Sequence, residues 1–208
     1  LMPPNILEIL VAVISLVWGV SVSSIVILSK FFLPSLLFLL IYFFVHRLTE
    51  NQESLTNKIN AIAGGMLIVL GYDLVDYRSI FKYLSGITSP NDFLLWTRPF
   101  NPILGGLLIF SFLLIVWRLY QKSEKKFAGF VQITLAGIIL ALAINSYFFT
   151  WGMILSLIGA LFFFSLLKAR YDFIKNLIFV GLIGLILSLP YFYNIFIASK
   201  SVFYQESA

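Results

Sequence analysis

Of 208 residues, 61% are hydrophobic, 17% aromatic and only 11% charged, where a soluble domain carries about 25% charged residues. This composition excludes a soluble globular protein and indicates an integral membrane protein. Cysteine is absent, which excludes disulfides and thiolate metal sites. The net charge of +5 is assigned below to membrane orientation, with no nucleic-acid partner.

Apolar runs near the ~20 residues that cross a bilayer recur along the whole chain. They are continuous, unlike the alternating segments of roughly ten residues in a closed barrel, so the expected fold is an all-α integral membrane protein. About seven transmembrane helices are expected, near residues 6–28, 31–46, 59–75, 102–119, 127–144, 147–167 and 176–196. Together they form a single polytopic membrane domain over residues 1–208. The first run lacks a basic leader and a small-residue cleavage site and is read as a retained helix. A chain opening on Leu1 is expected to be part of a longer protein.

With these spans the connections alternate between two sides. One side holds HRLTENQESLTNK, RLYQKSEKK and KARYDFIK; the other holds Lys30, Arg78, Lys82, Arg98 and Lys200. Nine basic residues then face five, all nine in short connections beside span ends, where the positive-inside bias operates. The first side is therefore expected to be cytoplasmic, in a cell-membrane protein with its N-terminus inside and its C-terminus outside.

The external side has one long connection, residues 73–101, and short ones at Ser29-Lys30 and Asn145-Ser146. Connections longer than about 12–15 residues are usually functional or disordered. Ile80, Leu84 and Ile87 follow helical spacing with Phe81 and Tyr83 beside them, so residues 79–87 are expected to form an interfacial helix. Ser89-Pro90-Asn91-Asp92 reads as a turn before FLLW returns to the membrane.

The segment TRPFNP follows. Asn101 and Pro102 are a helix-start signal, an N-cap acceptor and then a proline where no amide hydrogen is needed. Pro99 biases Arg98 towards an extended backbone. Arg98, with Asn101 and the positive pole of the helix that begins there, is a candidate site for a phosphate or diphosphate headgroup. Pairing of Arg98 with Asp92 or with bulk lipid phosphates is the alternative.

Asp73 and Asp76 lie three residues apart at the outer end of the third span, against the negative pole of a helix. Arg78 and Lys82 are at no helical pairing distance from them, so a non-local partner is expected. Arg98, a protonated substrate group or a divalent cation such as Mg or Mn would serve, water-held interfacial acids being the alternative. No protein metal site is assigned, and the catalytic residue is unknown. His46 is read as a solvated interface residue. Gln132, Asn145 and the serines of GVSVSS are expected to bind other helices. Gly64-Gly65, Gly105-Gly106 and Gly181/Gly184 are expected to be close-packing positions.

Taken together, LPSLLFLLIYFFVHRLTEN, a span ending in GYDLVDYRS, TRPFNP opening another span, and SYFFTW between later spans resemble prokaryotic membrane glycosyltransferases of the GT-C fold. The resemblance implies an enzyme that takes sugar from a polyprenyl-phosphate-linked donor at the outer face. Such enzymes usually carry a catalytic Asp or Glu in the first external loop; here SSIVILSK contains no acid, so either the catalytic segment lies upstream of residue 1 or the resemblance does not extend to activity. Besides membrane lipids, the implied partner is the polyprenyl-phosphate-linked sugar donor. A non-catalytic membrane scaffold or flippase-like subunit is the alternative. A transporter is disfavoured because no ionisable group falls near a predicted midplane.

Overall fold

The computed structural model describes residues 6–49, 54–75, 82, 84–87, 103–121, 126–146 and 148–200. Among the described residues the chain is all-helical, without strands. The helices are α1 (Ile6–Trp18), α2 (Val22–Leu48), α3 (Ser54–Val75), α4 (Ile103–Tyr120), α5 (Lys126–Ser146), α6 (Phe148–Leu167) and α7 (Tyr171–Ser199). Five of them, α2 and α4 to α7, are long and apolar enough to cross a bilayer, the architecture of a multi-pass membrane protein. The apolar part of α3, Ser54–Leu70, is shorter.

The expected turn at Ser29-Lys30 does not form. The chain breaks earlier, at Gly19, whose φ of +62° lies in the left-handed region that glycine enters without steric penalty. Ser21 then caps α2, its Oγ accepting from the Ser24 N–H at 3.2 Å. Ser15 Oγ donates to Val20 O at 2.8 Å across the break. Serines expected to bind other helices therefore organise this corner instead. Ser29 Oγ donates to Val26 O at 2.7 Å, which conceals its hydroxyl inside the helix. α2 thus runs unbroken for 27 residues through Lys30 and Pro34, about 40 Å at 1.5 Å per residue. By the same rise the 13 residues of α1 extend only about 20 Å, less than the ~30 Å hydrocarbon thickness.

The chain divides into two compact units, one of Val11–Leu114 and one of Leu1–Leu10 with Ile115–Ala208. In the first, α2 and α3 form an antiparallel hairpin. Thr49 ends α2, its N–H donating to Val45 O at 3.0 Å. Its Oγ1 lies 2.9 Å from Val45 O and 2.6 Å from Oδ1 of the buried Asn57. One hydroxyl proton serves one acceptor, so both contacts are satisfied when the Asn57 amide turns its NH2 group towards Thr49. Further along, a Cβ added to Gly65 would meet Phe38 Cε2 at 2.7 Å, and one added to Gly64 would meet Val45 at 3.1 Å. These are the close approaches expected of that glycine pair. Leu37, Ile41, Ile103 and Leu107 form the buried core, with Leu33, Ile68 and Val69 packed against it. Lipid tails are as apolar as leucine, so dispersion and close fit stabilise this packing more than release of water does.

In the second unit α5 lies along α7. Gly137 receives Ile183, whose Cγ2 would stand 2.6 Å from an added Cβ, and Gly184 receives Leu140 at 2.5 Å. Residue numbers rise together along both helices, so α5 and α7 are parallel and α6 runs back between their ends. A Cβ added to Gly181 would meet nothing within 4 Å, so only Gly184 of that expected pair is a close-packing position. Ala136, Ala143, Ile154 and Val180 are fully buried. Phe163, Phe164, Ile186 and Leu189 are exposed, as side chains facing lipid should be.

Candidate functional site

α3 ends near the proposed acids. Asp73 stands in its last turn, with its side chain outside the described residues; Asp76, Arg98 and Asn101 also lie outside them. α4 is helical from Ile103, directly after Asn101-Pro102. Ile103 is 1% exposed, and it shares the core described above with Ile68 and Val69 of α3. The first turn of α4 and the stretch of α3 that leads to Asp73 therefore pack on one cluster.

Part of the long connection is also described. Lys82 and Leu84 are helical, and Gly86 has a φ of +69°. Ile87 N–H donates to Lys82 O at 3.0 Å, the six-to-one bond of a Schellman close. A helical turn thus terminates at the glycine of YLSGI, leaving Leu84 and Ile87 exposed.

A second polar constellation, not foreseen in the sequence, joins the C-terminus of α4 to the N-terminus of α7. Arg170 Nη1 donates to Tyr120 O at 3.2 Å, and its guanidinium carbon lies 4.2 Å from the centre of the Tyr120 ring. Trp117 stacks on Tyr120 at 5.6 Å, and Phe173 meets it edge-on at 5.2 Å. A cation at the negative pole of a helix is favourable. Arg170 itself follows a Schellman turn: its N–H donates to Ser165 O at 2.9 Å, and Ala169 N–H donates to Leu166 O at 3.0 Å. The signal available in the sequence is a lone arginine after a helix end, which has no local partner and gives no indication of a residue fifty positions earlier.

The remaining polar residues offer little chemistry. Asn145 Nδ2 donates to Ala141 O at 2.7 Å within its own helix, where a partner on another helix was expected. Gln132 Oε1, Trp117 Nε1 and Ser188 Oγ are buried without a partner among the described residues. The His46 ring packs 5.8 Å from Tyr42. Among the described residues no group of three His, Asp or Glu could hold a metal. A concavity of about 420 Å³ is lined by Phe149, Gly152, Met153, Ser156 and Leu157. All five belong to α6, and Ser156 Oγ is engaged with Gly152 O at 2.9 Å, so it is an apolar furrow beside a glycine. Comparison with family models, curated proteins and solved structures finds no match to this chain.

Proposed function

We propose that the chain belongs to a membrane glycosyltransferase of GT-C type, binding a polyprenyl-phosphate-linked sugar donor at the outer membrane face. In this reading Arg98, assisted by Asn101 and the N-terminal pole of α4, binds the donor phosphate. Asp73 or Asp76 balances that cation, directly or through a divalent ion. The carrying observation is the shared core of α3 and α4. Asp73 follows Val69 by one helical turn, about 6 Å along the axis, and Arg98 precedes Ile103 by five residues. Both ends of the proposed site thus lead from helix segments that pack on one cluster, which supports an arginine and carboxylates meeting at headgroup depth.

The same reading puts the basic connections in the cytoplasm and residues 79–87 in the interface, with about seven crossings. Lys30 leaves the external connections because α2 is continuous, so the basic asymmetry becomes steeper. Support for grouping two of the basic connections comes from the contact between Arg170 and Tyr120.

The test is binding of a polyprenyl-phosphate analogue to the full-length protein in nanodiscs, with neutral polyprenol as control. Arg98→Lys keeps charge but loses the planar fork, and should weaken binding less than Arg98→Ala does. A charge-assisted hydrogen bond is worth roughly 1.5–3 kcal/mol, so Arg98→Ala should lose about ten to over a hundredfold in affinity. Wild-type affinity in Arg98→Ala would reduce this arginine to an interface anchor.

A further inference from the structure

The charge of the chain gathers at one end of the second unit. Residues 115–126 and 168–175 carry seven basic side chains against two acids, Glu124 and Asp172, an excess of five that equals the net +5 of the whole protein. Sidedness alone would only require these cations to share a membrane face. The fold goes further and brings the two stretches together. Arg170 donates to Tyr120 O at 3.2 Å, and Phe173 meets the Tyr120 ring edge-on at 5.2 Å. Because α5 runs parallel to α7, it starts at this same end, with Lys126.

Two of these cations are placed to take a ligand. Arg170 is exposed and pinned by both the carbonyl and the ring of Tyr120, its guanidinium carbon 4.2 Å from the ring centre. A guanidinium has five N–H groups, so the bond to Tyr120 O leaves the others for a second acceptor. Lys168 is exposed on the other side of the Ala169 turn. Among the described residues neither side chain has an acidic partner. A fixed fork beside a lysine suits the oxygens of a phosphate. Apolar side chains adjoin it: Leu166, Leu167 and Tyr171 are exposed, at the ends of helices long and apolar enough to cross a bilayer. A free anion gains nothing from such a rim, whereas an amphiphile uses both parts. We propose that Arg170 and Lys168, supported by the basic connection before α5, bind the phosphate headgroup of an anionic phospholipid whose glycerol and acyl chains lie along Leu167 and Tyr171. Basic pockets between spanning helices at a membrane face recognise lipids of this class. The surface lies at the opposite end of α4 from Ile103, so it is separate from the proposed donor site and does not rest on it.

A ligand that binds only the folded state raises its unfolding midpoint. The test is the thermal midpoint of the full-length protein in neutral detergent, with phosphatidylglycerol, phosphatidylcholine or inorganic phosphate added at equal concentration and ionic strength. Phosphatidylglycerol should raise the midpoint by several degrees, and the other two should leave it unchanged. Lys168→Gln, whose side chain makes no contact among the described residues, should keep the lipid-free midpoint and lose at least half of that rise. Lys168→Gln with Arg170→Gln should abolish the rise, whatever the lipid-free midpoint of that variant. Arg118→Gln is the control: Arg118 is exposed near the same end of α4 but stands two residues from Tyr120, on the opposite side of the helix, and should keep the full rise. An equal rise with phosphatidylcholine would mean an unselective lipid coat, and an equal rise with inorganic phosphate a free-anion site. An equal loss in Arg118→Gln would mean diffuse attraction, and a full rise in Lys168→Gln with Arg170→Gln would mean that neither residue holds the lipid. Each of these four results overturns the proposal.

Discussion

Ala169 occupies the position after α6 where a left-handed residue is needed, with φ of +50°. Its N–H and that of Arg170 close the helix on Leu166 O and Ser165 O. A Cβ in that conformation costs roughly 1–2 kcal/mol, and glycine carries no such penalty. Ala169→Gly should therefore raise stability by about 1 kcal/mol, read as a higher midpoint in thermal unfolding followed by circular dichroism. The neighbouring Arg170 combines a hydrogen bond to the last carbonyl of α4 with a cation–π contact. Arg170→Lys keeps charge but loses the planar stack and the directed donor, and should lower stability by about 1 kcal/mol. A double-mutant cycle with Tyr120→Leu separates the ring contact from the carbonyl bond; a coupling energy of zero would leave the ring without a role.

Helix pairs here are set by the places where a side chain is missing. Gly137 and Gly184 take the side chains of Ile183 and Leu140, a reciprocal fit that brings α5 and α7 together along parallel axes. Gly137→Ala and Gly184→Ala should each cost about 1–3 kcal/mol, because β-branched Ile183 and well-packed Leu140 must shift. Gly181→Ala should be neutral or stabilising by up to about 1 kcal/mol, since its site is open and alanine favours helix. Unfolding midpoints in detergent should place Gly181→Ala above the other two variants. Spacing alone makes Gly181 and Gly184 equivalent; they differ because only one faces α5. Ser188 is a further case on α7. Its hydroxyl is fully buried and unpaired among the described residues, so Ser188→Ala should leave stability unchanged or improve it by about 1 kcal/mol.

At the scale of the whole molecule, parallel α5 and α7 require α6 to cross back, which places the two ends of α6 at opposite membrane faces. The contact of Arg170 with Tyr120 puts the end of α4 and the start of α7 at one face. Cysteines introduced at Gln121 and Lys168 should label with an impermeant thiol reagent from the same side, and one at Ser146 from the opposite side. In the orientation proposed from the positive-inside bias, Gln121 and Lys168 should be the cytoplasmic pair. Labelling of Ser146 together with Gln121 would break the alternation and the proposed orientation with it.

Long apolar runs determine by themselves that the chain is helical and membrane-bound, because lipid leaves backbone groups no other way to be satisfied in a continuous apolar segment. The end of α5 near Ser146 and the start of α4 beside Asn101-Pro102 are legible for a similar local reason, a polar or proline signal next to an apolar run. Lys30 is misread by that same logic. A charge looks like a boundary to any rule that sees only neighbours, whereas Gly19 and the cap of Ser21 end one helix and start the next before Lys30 is reached. The proposed phosphate site rests on the residue types at positions 73, 76, 98 and 101, read from sequence alone. Their common ground is different: α3 and α4 share a core only because Leu37 and Ile41 of a third helix fill the space beside them. Side-chain volumes from three distant segments decide that contact, and such complementarity exists only once the helices are packed.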